Sequence, residues 1–173
     1  YWLEQHLKVP VIDHWWQTET GWSICANPAG IELLECRAGS CGVPAPGWDL
    51  RVLDEAGQEV ATGEEGAIVV KAPLSPSAFA TVWRDHERFE QSYWSQYPGF
   101  YLTGDGGYCD EDGYVYVMGR TDDVINVAGH RLSTGRIEEV LAEHAAVAEC
   151  AVVGIRDEQK GPVPVGLLLL KDG

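Results

Sequence analysis

Gly119-Arg120-Thr121-Asp122-Asp123-Val124-Ile125-Asn126-Val127-Ala128-Gly129-His130-Arg131 is the stretch whose reading decides the fold. A glycine opens it, an Arg and two Asp follow, and the β-branched run Val124, Ile125, Val127 closes on Ala128-Gly129 before His130 and Arg131. The pattern predicts a turn, a short strand and a second tight turn. Arg120 and Arg131 flank the strand, and guanidinium forks bind phosphate oxygens in fixed geometry, so the pair suits one anionic site. A solvated hairpin with paired surface charges explains the same window, and this stretch alone leaves both readings open.

Toward the N-terminus, Gly99 to Tyr108 reads as a strand running into a glycine-flanked Asp105. Flanking glycines let a backbone approach a ligand closely, and an isolated carboxylate accepts a pair of hydroxyl hydrogen bonds such as a ribose diol offers. Asp110-Glu111-Asp112-Gly113 has the composition of a hairpin turn leading into Tyr114 to Met118, and a calcium loop would need more ligands at set spacing. Trp83 to Gln96 has helical spacing with Phe89, Tyr93 and Trp94 on its apolar side. Short runs at Asp49 to Leu53 and Ala67 to Lys71, separated by acidic turns, predict a small antiparallel barrel or sheet.

Near the start, Tyr1 to Lys8 reads as the end of an amphipathic helix, and Pro10 to Asp13 as a buried strand entering the loop His14-Trp15-Trp16-Gln17-Thr18-Glu19-Thr20-Gly21. Two tryptophans make a rigid wall, hydroxyls donate to phosphate, and Glu19 is a hard oxygen ligand suited to Mg²⁺. A core Trp pair followed by a polar helix cap fits the same residues. Beyond the opening stretch, Ser133 or Thr134 is an N-cap candidate and Ile137, Val140 and Leu141 form a helical stripe. Strands at Val147 to Gly154 and Val163 to Leu170 follow, joined by a charged turn from Arg156 to Gly161, with Gly166 to Leu170 read as buried. These pieces make a β-α-β-β order.

Composition excludes several classes. A net charge of -15 argues against a nucleic-acid backbone or an anionic membrane surface as partner, since both demand an excess of Lys and Arg. At 45% hydrophobic over 173 residues, the chain holds one ordinary core or two small ones. Five cysteines without C-x-x-C spacing speak for reduced thiols rather than a disulfide framework or zinc site, and for a cytoplasmic or organelle-matrix location. Tyr1 without an initiator Met, and an end just after a strand, read as a chain cut at both ends.

Three separated stretches together resemble one family: Asp13-His14-Trp15-Trp16-Gln17-Thr18-Glu19-Thr20, Tyr101-Leu102-Thr103-Gly104-Asp105, and the Gly119 to Arg131 stretch. In order and spacing they are similar to the adenylate-forming acyl-CoA synthetases, and most to the short-chain acetyl-CoA and propionyl-CoA synthetases. The wording Val124-Ile125-Asn126-Val127-Ala128-Gly129-His130-Arg131 leans to the propionyl type. The resemblance implies an α+β adenylating fold in part: the end of a large AMP-binding domain over 1–121, with a small antiparallel β-barrel subdomain from about 45, then the start of a mobile C-terminal domain over 122–173.

It also implies ATP, Mg²⁺ and coenzyme A as ligands, with a short-chain carboxylate as co-substrate. Asp13, His14, Trp15, Trp16, Gln17 and Thr18 would line the nucleotide site, Thr18 on the α-phosphate and Glu19 near Mg²⁺. Asp105 would hold the ribose hydroxyls, Arg120 the ribose and phosphate, and Arg131 the ATP phosphates. Asp122 would be the hinge, and Ala128 and Gly129 the backbone meeting the pantetheine of CoA. Ala142, His144 and Val147 match a structural cation site built mostly from backbone oxygens. Trp16 would close the acyl pocket by bulk, leaving room for two or three carbons. Family members carry a phosphate loop before the position of Tyr1 and an activating lysine after that of Gly173, so this chain alone is not expected to complete adenylation; Lys160 does not match that lysine. An adenylating enzyme with another acceptor, such as a carrier-protein thiol, and a truncated non-catalytic nucleotide-binding or interaction module are the alternative readings.

Overall fold

Ile68, Val69 and Val70 are consecutive, wholly buried residues of one strand, and they show how the first part of the chain is built. Side chains alternate across a strand, so Ile68 and Val70 join one apolar cluster while Val69 joins another on the opposite face with Leu53 and Tyr97. In this computed structural model, which describes residues 2–121, 123–127, 130–157 and 161–171, the chain divides into two units, Tyr1–Val117 and Met118–Gly173.

The first unit opens with a short helix α1 (Trp2–Leu7) and a three-stranded sheet of two-residue strands, β1 (His14–Trp15), β2 (Cys25–Ala26) and β3 (Val43–Pro44). A four-stranded sheet follows in the order β4 (Leu50–Leu53), β5 (Gly66–Lys71), β6 (Phe100–Cys109) and β7 (Val115–Arg120). Between β5 and β6 lies α2 (His86–Tyr93), where the Asp85 side chain accepts from the Arg88 N–H at 3.1 Å. That cap satisfies one of the helix's orphan donors. Phe89 and Tyr93 of α2 meet Phe79 edge-on, each with ring centres 5.0 Å away, and tie the helix to the core.

Two expectations change here. Pro10 to Asp13 is irregular rather than a buried strand, with Ile12 39% exposed. Pro10 has no N–H to give a ladder, and pairing starts only at His14, opposite Ala26. Gly119 and Arg120, read as a turn, instead extend β7.

The second unit is a hairpin of β8 (Val124–Val127) and β9 (His130–Ser133), then α3 (Thr134–Ala142), then an antiparallel pair of β10 (Val147–Asp157) and β11 (Gly161–Leu170). The order is therefore β-β-α-β-β: His130 to Ser133 pairs with Val127 to Val124, and four residues are too few for a side-chain period to reveal the strand. Ser133 caps α3 as expected, its hydroxyl accepting from the Arg136 N–H at 3.4 Å. Ile125, nearly buried, packs onto Gly154, where an added Cβ would come within 3.3 Å of it. The expected burial of Gly166 to Leu170 is not found. Leu167 to Leu170 are 48 to 61% exposed, two on each face of the ribbon, because a lone two-stranded pair leaves side chains of both faces incompletely covered at this end. Arg156 and Asp157, read as part of a turn, belong to β10. Among the described residues no helix is long and apolar enough to cross a membrane.

Candidate active site

Asp105 owes its direction to an irregularity in β6. Ala67 pairs with Gly106 and Val69 with Leu102, so Ile68 alone faces Thr103, Gly104 and Asp105. Bulged residues twist a strand and re-aim a side chain, and here Gly104 takes φ +76, a left-handed conformation open to glycine. The Thr103 hydroxyl seals the bulge: it donates to the Ile68 carbonyl at 2.6 Å and accepts from the Asp105 N–H at 3.1 Å. Asp105 ends 8% exposed, and a carboxylate so buried requires partners.

The Trp15–Thr20 loop supplies one. Gln17 Nε2 donates to Asp105 Oδ2 at 2.6 Å and to the Thr103 carbonyl at 2.8 Å, while its Oε1 accepts from the Tyr101 hydroxyl at 2.9 Å. Two of the three motifs of the sequence are thereby joined by direct contact. Thr20, wholly buried, folds the loop: its hydroxyl accepts from the Gln17 N–H at 3.1 Å and stands 2.9 Å from the carbonyls of both Gln17 and Trp22. The loop then turns at Gly21, with φ +63, where a Cβ would lie 2.6 Å from the Ser77 carbonyl oxygen.

Glu19 is held separately, its Oε1 accepting from the Tyr93 hydroxyl at 3.0 Å and its carbonyl from the Phe79 N–H at 2.7 Å. Thr18 lies exposed on the same turn. Trp15 packs against the core, whereas the Trp16 indole is 53% exposed. The adjacent tryptophans thus do different work, which the core-pair reading does not describe. Asp13 Oδ1 accepts from the His14 N–H at 2.8 Å, and both side chains are exposed. Tyr93, Tyr101 and Thr103 are not among the expected site residues, the hydroxyl two positions before Asp105 being the available signal; the Thr20 hydroxyl, expected with that of Thr18 to suit a phosphate, is instead spent inside the loop.

Arg120 ends β7 in an exposed position. Arg131 contributes its backbone to β9 opposite Asn126; its side chain, and Asp122, Ala128, Gly129 and Lys160, lie outside the described residues. Ala142, His144 and Val147 bracket the α3–β10 turn. There the His144 carbonyl accepts from the Val147 N–H at 2.9 Å, and Lys171 Nζ donates to the Ala145 carbonyl at 3.0 Å. Two carbonyls of this turn, those of His144 and Ala145, thus each accept one of the chain's own donors. Among the described residues no group of three or more His, Cys, Asp or Glu side chains is placed to hold a metal ion.

All five cysteines are free, and Cys36 is exposed while Cys25 and Cys41 are buried. The Cys25 thiol is pushed far up by its hydrogen bond with Cys41 and by burial, so it is inert at neutral pH.

The family model for the AMP-binding enzyme matches residues 1–79, and that for the AMP-binding enzyme C-terminal domain matches residues 136–173. The chain is 48% identical to the mitochondrial acyl-CoA synthetase short-chain family member 3 of Mus musculus, over 98% of this chain and 25% of that protein. It is 47% identical to the propionate--CoA ligase of Escherichia coli, over 99% of this chain and 28% of that protein. Among solved structures, the O-succinylbenzoate coenzyme A synthetase of Bacillus subtilis in complex with AMP superposes with a TM-score of 0.78 at 29% identity, covering 98% of this chain and 33% of that one. The chain spans about a quarter of the length of these curated relatives.

Proposed function

The chain belongs to the AMP-binding enzyme family, and on that premise we propose that it is part of an ATP-dependent ligase joining a short-chain carboxylate, propionate or acetate, to coenzyme A. The 2.6 Å contact between Gln17 and Asp105 carries this reading, because it sets a carboxylate suited to a ribose diol beside the loop bearing Thr18 and Glu19. Similarity to the propionate--CoA ligase and to the short-chain synthetase supports the choice of acid and acceptor.

In the first half-reaction the carboxylate oxygen attacks the α-phosphorus of ATP and pyrophosphate leaves. In the second, the CoA thiol attacks the acyl carbonyl and AMP leaves. Neither step calls for a protein nucleophile, so charge placement does the catalysis. Asp105 accepts from the ribose hydroxyls, Thr18 donates to the α-phosphate, and Arg120 and Arg131 stabilise the negative charge that builds on the phosphates. Glu19, with one carboxylate oxygen held by Tyr93, fits a single-carboxylate contact to Mg²⁺ arriving with ATP, which would neutralise phosphate charge. Asp13, His14 and Trp15 complete the wall of the nucleotide site. The exposed Trp16 indole limits the acid to two or three carbons. We place the boundary between the large and the mobile domain near Thr121, with Asp122 as hinge and Ala128-Gly129 meeting the pantetheine.

Pyrophosphate release by the full-length natural protein, with and without CoA, over acetate, propionate, butyrate and octanoate tests the proposal. Turnover confined to the two- and three-carbon acids is expected, with none from residues 1–173 alone. Equal turnover of octanoate would remove Trp16 as the wall, and release unaffected by any acid would remove the ligase reading.

A further inference from the structure

Glu19 and Asp105 are far apart in sequence, yet Glu19 is held by one tyrosine hydroxyl, Asp105 is held by a Gln17 amide that a second tyrosine hydroxyl holds, and the two tyrosines touch. Tyr93 donates to Glu19 Oε1 at 3.0 Å, and Tyr101 donates to Gln17 Oε1 at 2.9 Å. Their rings stack with centres 5.5 Å apart and planes inclined by 16°. Phe79 stands edge-on to both, at 5.0 Å from Tyr93 and 6.1 Å from Tyr101, and Trp94 lies 6.2 Å from Tyr101. Tyr101 is wholly buried, so its hydroxyl is fixed in direction by packing on every side.

That direction has a chemical consequence. The two ends of a Gln amide are nearly the same shape, so only the hydrogen bonds around them decide which end faces Asp105. Tyr101 offers a donor and thereby claims the oxygen. The NH₂ is then turned toward two acceptors, Asp105 Oδ2 and the Thr103 carbonyl. Without the Tyr101 hydroxyl the NH₂ keeps its two acceptors, but the amide oxygen loses its anchor, and the side chain that aims Asp105 is no longer fixed at both ends.

We propose that Tyr93 and Tyr101 are paired positioning residues, Tyr101 aiming Asp105 through Gln17 at the nucleotide ribose and Tyr93 aiming Glu19 at the metal-bound phosphates. This rests on the ligase reading above. Neither tyrosine touches substrate; each acts through the group it holds.

The test is steady-state pyrophosphate release by the full-length natural protein, its Tyr101→Phe and its Tyr93→Phe variants, with ATP, with 2′,3′-dideoxy-ATP, and across a Mg²⁺ titration. Hydrogen bonds to charged groups are worth roughly tenfold or more in binding, so Tyr101→Phe should lose about tenfold in kcat/KM with ATP but less than about twofold with the dideoxy analogue, which has no diol to read. Tyr93→Phe should raise the Mg²⁺ needed for half-maximal rate severalfold and leave the preference for ATP over the analogue unchanged. Equal losses on both nucleotides, no loss, or exchanged phenotypes in an active protein would overturn the inference alone. A wild-type protein that releases no pyrophosphate with any acid would overturn the ligase reading, and this inference with it.

Discussion

The two units of the chain reach order by different means. In the first, residues distant in sequence converge: Ile68, Tyr101 and Val115 close one core, and Gln17 reaches Asp105 across the fold. In the second, order is local: a hairpin, a helix without a buried residue, and a two-stranded ribbon whose leucines stay half exposed. A site that must hold a ribose needs the first kind of construction, since only cross-braced side chains keep a carboxylate aimed. A mobile domain, as proposed above for the second unit, needs fewer such ties.

The contrast can be broken most forcefully in the core. All seven tryptophans precede residue 118, so their fluorescence follows the first unit. Ile68→Ala empties a wholly buried site and should cost about 2–5 kcal/mol in urea unfolding read by fluorescence. Leu168→Ala, at a half-exposed position, should stay within about 0.5 kcal/mol by circular dichroism. Comparable losses would mean that the second unit is as tightly braced as the first.

Gly104→Ala sharpens the comparison at the site itself. A side chain at φ +76 costs about 1–2 kcal/mol, and the fluorescence-detected midpoint should fall accordingly. An unchanged midpoint would mean that the bulge tolerates a side chain. In the second unit, Ser133→Ala removes the α3 cap and should cost about 1 kcal/mol of helix stability by circular dichroism, while fluorescence unfolding stays the same. A fluorescence shift would reveal coupling between the units.

The smallest effect concerns acid. Arg37 donates to Asp110 at 2.6 Å and Asp112 at 2.5 Å and lies 4.0 Å above the Tyr114 ring, clasping the β6–β7 turn. Partial burial would raise the Asp110 carboxyl, but hydrogen bonds from the Tyr114 N–H, Arg37 and the Asp112 N–H outweigh it and hold the group below the usual aspartate value of about 3.9. A carboxylate depressed in the folded state stabilises above its unfolded value and loses that contribution as pH falls through its lower folded value. The first unit should therefore weaken as pH falls below the usual aspartate value of about 3.9, and Arg37→Ala should reduce that loss. An identical acid profile in the variant would show that the clasp is not linked to protonation.

Much of this was legible in sequence because it rests on local chemistry. β5 and β6 follow from β-branched and aromatic runs, α2 from its apolar spacing, and α3 from Ser133 and its apolar stripe; the Asp85 cap that starts α2 at His86 rather than Trp83 is seen only in the fold. What escaped depends on tertiary partners. β9 exists because β8 offers it a ladder, and the strand expected at Pro10 to Asp13 fails for want of a donor and a neighbour. Asp105 was recognised by its flanking glycines, but the bulge that aims it is a register shift against β5, invisible without the pairing. Likewise Tyr93 reads only as part of the apolar side of a helix and Tyr101 only as part of a strand; the bonds of their hydroxyls to Glu19 and Gln17 are tertiary.

Amide hydrogen exchange of the full-length natural protein, with and without AMP, tests the central claim most directly: that the Trp15–Thr20 loop and the β6 bulge together form the nucleotide site. Slowed exchange at residues 14–20 and 103–106 on adding AMP is the predicted result. Protection confined to other segments, with both of these unchanged, would contradict it.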